Sequence, residues 1–113
     1  MSIGYTWEKL YRAMLALAHS DGTLEHRLAS AYQAMHMLTP EDFPDEELRQ
    51  DYTTLIGAWR TEAGTRLHGT MAPSRTVLPP DQARTIAERL LRLYTDITRL
   101  EEQYYRSFST RDL

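Results

Sequence analysis

Residues 80–108 read PDQARTIAERLLRLYTDITRLEEQYYRSF, and this stretch decides the fold. Pro80 suits a first helical position, where its missing amide hydrogen has no partner to lose, and Asp81 complements the positive end of the helix dipole. Apolar residues then recur at Ala83, Ile86, Ala87, Leu90, Leu91, Tyr94, Ile97, Leu100, Tyr104 and Phe108, the three-and-four spacing of one helix face. A helix over about 80–106 is expected to run roughly 40 Å at 1.5 Å per residue. It would outrun the other expected helices by two or three turns. Its end, Tyr104-Tyr105-Arg106-Ser107-Phe108, is therefore expected to project past the packed part of the chain.

Working back from Pro80, residues 64–79 show no period. They carry Gly64, Gly69, Pro73 and Pro79 with scattered Leu67, Met71, Val77 and Leu78. We read 64–79 as one long loop, of a length that is usually functional or mobile in a compact domain. Before it, Leu48, Tyr52, Leu55, Ile56 and Trp59 make the buried face of a helix over about 44–63, with Asp45, Glu46 and Glu47 in its first turn. Thr39-Pro40-Glu41-Asp42 reads as a cap, a proline and two acids, which predicts a single turn over 40–43.

Two further helices precede that turn. Thr23 is expected to cap a helix over about 24–38, with Leu24, Leu28, Ala31, Tyr32, Met35 and Leu38 inward. Thr6 is expected to cap one over about 7–19, with Trp7, Leu10, Tyr11, Met14, Leu17 and Ala18 inward. Gly22, in Ser20-Asp21-Gly22, supplies the left-handed residue that ends it. The connection of three or four residues predicts an antiparallel hairpin. Composition agrees with the periodicity: Leu, Ala and Met number 31, against 5 for Val and Ile, a bias toward helix. The fold expected is all-α, one domain, a four-helix up-down-up-down bundle with a long loop between helices 3 and 4 and an extended last helix.

The 113 residues carry a net charge of −3 and no cysteine, which excludes disulfides, thiol nucleophiles and thiolate metal sites. No apolar run approaches the roughly 18–20 residues of a membrane span. The opening Met1-Ser2-Ile3-Gly4-Tyr5 lacks the basic and apolar regions of a signal peptide, so a cytoplasmic location is expected.

The polar clusters complete no catalytic constellation. His19, His26, His36 and His68 form neither an i, i+4 pair nor a Glu-x-x-His motif, so no metal site and no cofactor are expected. A helical ribonuclease of the HEPN type needs Arg and His four to six residues apart on one helix. Here eight residues separate Arg27 from His36 and seven separate Arg60 from His68. The acids Glu41, Asp42, Asp45, Glu46, Glu47 and Asp51, against Arg49 alone, make residues 39–51 net −5. They lack the paired Glu-x-x-Glu and Glu-x-x-Asp motifs of magnesium-dependent helical pyrophosphohydrolases. Helix-dipole complementation accounts for them, and Glu41, Asp42, Asp45 and Glu46 also offer a docking patch for a basic partner. No Gly-x-Ser-x-Gly turn or glycine-rich phosphate loop occurs.

Arg60, Arg66, Arg75 and Arg84 fall in a stretch, residues 60–92, whose six arginines exceed its three acids. They could meet phosphates, although the chain as a whole is acidic, with a pI near 5.8. Tyr104, Tyr105 and Phe108 are the stronger interface candidates, since tyrosine and other aromatics favour surfaces that are apolar on one side and wet on the other.

Leu15-Ala16-Leu17-Ala18-His19-Ser20-Asp21-Gly22-Thr23-Leu24-Glu25 resembles the helix–Ala-Asp-Gly–helix segment of tellurite-resistance TerB-like domains, with Ser20 where Ala is usual. Glu8-Lys9-Leu10-Tyr11, Arg27-Leu28, Ala31-Tyr32, Glu41-Asp42-Phe43-Pro44 and Leu48-Arg49 are together similar to a group of small uncharacterised all-helical bacterial proteins. The second resemblance supplies no catalytic residues. It implies a small accessory protein of bacterial variable genomic regions, phage-defence systems among them. The leading expectation is thus a non-enzymatic interaction module: an adaptor, regulator or small subunit with a protein partner or a second copy of itself. A nucleic-acid-associated factor using Arg60, Arg66, Arg75 and Arg84 is the alternative, and a metal-dependent helical hydrolase the third reading.

Overall fold

The structure, a computed structural model, describes residues 3–63 and 79–112, with side chains described for 3–59 and 79–106. Four helices make up nearly all of it: α1 (Ile3–His19), α2 (Leu24–Met35), α3 (Glu46–Ala63) and α4 (Pro80–Asp112). One 3-10 turn, Pro40–Asp42, lies between α2 and α3. No strand occurs among the described residues, and no helix there is long and apolar enough to cross a membrane. Most of the expected loop 64–79 lies outside the described residues.

Local chemistry explains the turns. Gly22 has φ +105°, a backbone that L side chains rarely adopt. The Thr23 hydroxyl accepts the His26 amide at 3.1 Å, opening α2. From within α2, the Arg27 guanidinium donates to the Leu17 carbonyl at 2.7 Å, satisfying an acceptor in the last turn of α1 and placing positive charge at its negative end. The 3-10 turn is closed by the Asp42 carboxylate, which accepts the Thr39 amide at 2.9 Å and the Thr39 hydroxyl at 3.3 Å. Asp45 then caps α3, accepting the Leu48 amide at 2.8 Å.

Several boundaries differ from those read in the sequence. α1 begins at Ile3, not Trp7, because Thr6 is not its cap. Thr6 is fully buried inside the helix, and its hydroxyl donates to the Asp42 carbonyl at 2.6 Å, a partner 36 residues away. α2 stops at Met35 rather than Leu38. Leu38 still enters the core, and its carbonyl, outside the helix ladder, accepts the Tyr52 hydroxyl at 2.6 Å. α3 starts at Glu46 rather than Pro44, since Asp45 takes the cap. α4 continues to Asp112, beyond the expected end at 106.

The core is one cluster drawn from all four helices and the 36–45 connection. Trp59, Phe43, Leu10, Leu28, Met35, Leu55, Ile86, Leu90, Leu93 and Ile97 are its largest fully buried apolar side chains. Burying each such residue stabilises by roughly 1.5–3 kcal/mol. Trp59 meets Tyr32 edge-on at 5.3 Å, and Phe43 stacks on Tyr52 at 4.7 Å. α1 packs on α2 and α4, and α4 also packs on α2 and α3. Of the stripe residues before the expected overhang, Tyr11, Ala18 and Leu91 lie outside this core. Tyr11 is 39% exposed and Leu91 50% exposed, while Ala13 and Leu93 are buried on their helices. In both helices the covered arc is turned toward residues flanking the expected stripe.

α4 dominates the shape. Its 33 residues give a rod of about 50 Å, matching the longest dimension of 53 Å against 27 and 21 Å for the other axes.

Candidate functional site

The last residue buried on α4 is Ile97 among those whose burial is described. Leu100 is partly buried against the core, Glu101 is half-buried, and every side chain from Glu102 to Arg106 is exposed. The helix persists here because Glu, Gln and Arg are good helix formers and because it propagates from a packed segment, so no new nucleus is needed. Arg106 pairs with Glu102 one turn back at 3.1 Å, a contact that supports an exposed helix by a few tenths of a kcal/mol. Tyr104 and Tyr105 are 56% and 60% exposed, and their rings meet edge-on at 5.8 Å. Burial raises the Glu101 carboxyl above the ordinary glutamate range. Phe108 lies on the helical backbone, but its side chain is outside those described.

The expected acidic patch is brought together only in part. Asp42 is buried and its carboxylate holds Thr39, which removes it from any outward docking face. Asp45 is exposed but engaged as the α3 cap. Glu41 and Glu46 face outward, and Glu46 has Arg49 at 3.9 Å. Of the arginines expected to meet phosphate, Arg84 is exposed and ion-paired with Asp81. The side chains of Arg60, Arg66 and Arg75 lie outside the described residues.

One feature escaped the sequence reading. α3 and α4 enclose an open groove of about 360 Å³ lined by Asp51, Thr54, Thr85, Glu88, Arg89 and Arg92. The sequence shows Glu88, Arg89 and Arg92 within one turn, but their meeting with Asp51 requires the packing of two helices. Among the described residues no group of three or more His, Asp or Glu is placed to hold a metal ion. Compared with known families, curated proteins and solved structures, the chain matches no family model, no curated protein and no solved structure.

Proposed function

We propose that this chain is a non-enzymatic protein-interaction module, an adaptor, regulator or small subunit, and that it docks through the far end of α4. The observation that carries the reading is that α4 runs as helix to Asp112 while its last described buried residue is Ile97. An amphipathic helix carrying exposed Tyr104 and Tyr105 is suited to a partner's apolar groove or to another helix. The resemblance to small bacterial proteins supports placing it among accessory components of bacterial assemblies, phage-defence systems included.

The arrangement behind this reading is an up-down-up-down bundle with its long crossover between α3 and α4. Two contacts support it. Arg27 reaches back to Leu17 across the first turn, and Trp7, early in α1, meets Tyr94 and Thr98, late in α4. Truncation after Leu100 tests the docking role. It should leave the bundle folded by circular dichroism and abolish association with a purified partner. Unchanged association would refute the reading.

The nucleic-acid alternative gains one observation. Arg89 and Arg92 line the α3–α4 groove with no ion pair to a described residue. It requires DNA or RNA affinity that falls steeply with salt, and absence of binding at low salt would dispose of it.

A further inference from the structure

We infer that the α3–α4 groove binds a short peptide with free ends, a small zwitterion whose opposite charges stand at least one peptide unit apart. The site lies apart from the α4 overhang, and it holds or falls independently of the docking reading.

The groove encloses about 360 Å³, within the roughly 300–1,000 Å³ of small-molecule sites. Its two walls differ in sign. α3 contributes Asp51 and Thr54, while α4 contributes Thr85, Glu88, Arg89 and Arg92. Glu88 offsets one of the two arginines. The α4 wall therefore carries one net positive charge against one negative charge on the α3 wall.

Among the described residues, none of these four charged side chains has an ion pair or a hydrogen bond. For Glu88 and Arg92 this departs from the pattern of the chain. Glu8 with Arg12 and Glu102 with Arg106 have the same spacing and order, which favours pairing on a helix. They close at 3.7 and 3.1 Å. Glu88 and Arg92 stay apart and line the groove instead, and Asp51 on the facing helix reaches neither arginine. Charges of both signs thus share one concavity without neutralising each other.

That balance selects the ligand. An anion alone would satisfy Arg89 and Arg92 but lie beside Asp51 and Glu88. A zwitterion satisfies both walls: its carboxylate accepts from the planar guanidinium groups, and its ammonium donates to Asp51. Packed helices hold their axes about 8–10 Å apart, so the ligand's charges must be separated. In a single α-amino acid both charged groups are attached to one carbon. In an extended dipeptide a peptide unit, with a Cα-to-Cα span of about 3.8 Å, stands between them.

NMR titration of the full chain with dialanine tests the inference. The backbone amides of Thr54, Thr85, Arg89 and Arg92 should shift saturably, and those of Glu102 to Arg106 should not. The groove is open to water, so binding is weak, and each charged end contributes about threefold to fivefold in affinity. N-acetyl-dialanine and dialanine amide should each bind weaker by about that factor. Two variants assign the ends. Asp51→Asn should weaken dialanine and leave the N-acetyl peptide unchanged, whereas Arg92→Gln should weaken dialanine and leave the amide unchanged. Both positions are exposed, so circular dichroism of the variants should match the wild type. The capped peptides decide the matter on the wild type alone. Absence of a saturable shift, capped peptides that bind as well as dialanine, or inorganic phosphate that binds tighter than dialanine would each overturn the inference.

Discussion

The indole N–H of Trp7 donates to the Thr98 hydroxyl at 3.0 Å, joining residues 91 positions apart. This bond fastens α1 to α4 just before α4 leaves the core, with Tyr94 and Tyr11 against the same indole at 6.3 and 5.0 Å. Beyond it, Leu100 and Glu101 are still partly covered, and the side chains from Glu102 to Arg106 are exposed. Trp7→Phe keeps an aromatic body and removes the donor, so it should destabilise by about 1 kcal/mol. A double-mutant cycle with Thr98→Val, read by urea unfolding, should return a coupling of similar size.

Thr6→Val should be the more damaging change despite its near-identical shape. The Asp42 carbonyl loses its buried donor at 2.6 Å, and a buried acceptor left unsatisfied costs about 1–3 kcal/mol. The unfolding midpoint in urea reads this; a change within a few tenths of a kcal/mol would show that water replaces the hydroxyl.

Gly22→Ala meets two obstacles. The residue sits at φ +105°, and an added Cβ would stand 3.3 Å from the His26 Cβ. A loss of about 1 kcal/mol or more is expected, visible as a lower thermal midpoint with unchanged helicity at room temperature.

Glu101 gives a pH dependence whose sign follows from its raised carboxyl. The folded chain holds this proton to higher pH than the unfolded one. Below the unfolded pKa both states are protonated and folding gains the full contribution of the neutral form. As pH rises through the raised folded value, that contribution is lost. In dilute solution Glu101→Gln should therefore match the wild type in thermal midpoint in acid and exceed it at neutral pH. An equal gap at both would mean that burial of the charge is not the cause.

The local grammar of this chain was legible because its partners are close in sequence. Thr23 with His26, Gly22 at the end of α1, and Thr39-Pro40 opening a single turn each involve groups within four residues. Thr6 misled for the opposite reason: its hydroxyl has a choice between a local amide and a carbonyl 36 residues on, and only packing brings the second within reach. Asp42 was read as part of an outward patch, yet its carboxylate turns in on Thr39. Among the candidate site residues, Tyr104 and Tyr105 are exposed as the length of the α4 stripe implied.

The amino-acid sequence by itself determined that the described chain is helical and where most of its turns fall, because hydrophobic period and capping are properties of neighbouring residues. Tertiary structure decided which flank of each stripe is covered, exchanging Leu91 for Leu93 and Tyr11 for Ala13, and where cover on α4 ends. Burial depends on where another helix crosses, and the contacts that fix the crossing, such as Trp7 with Thr98, join residues that no local pattern connects.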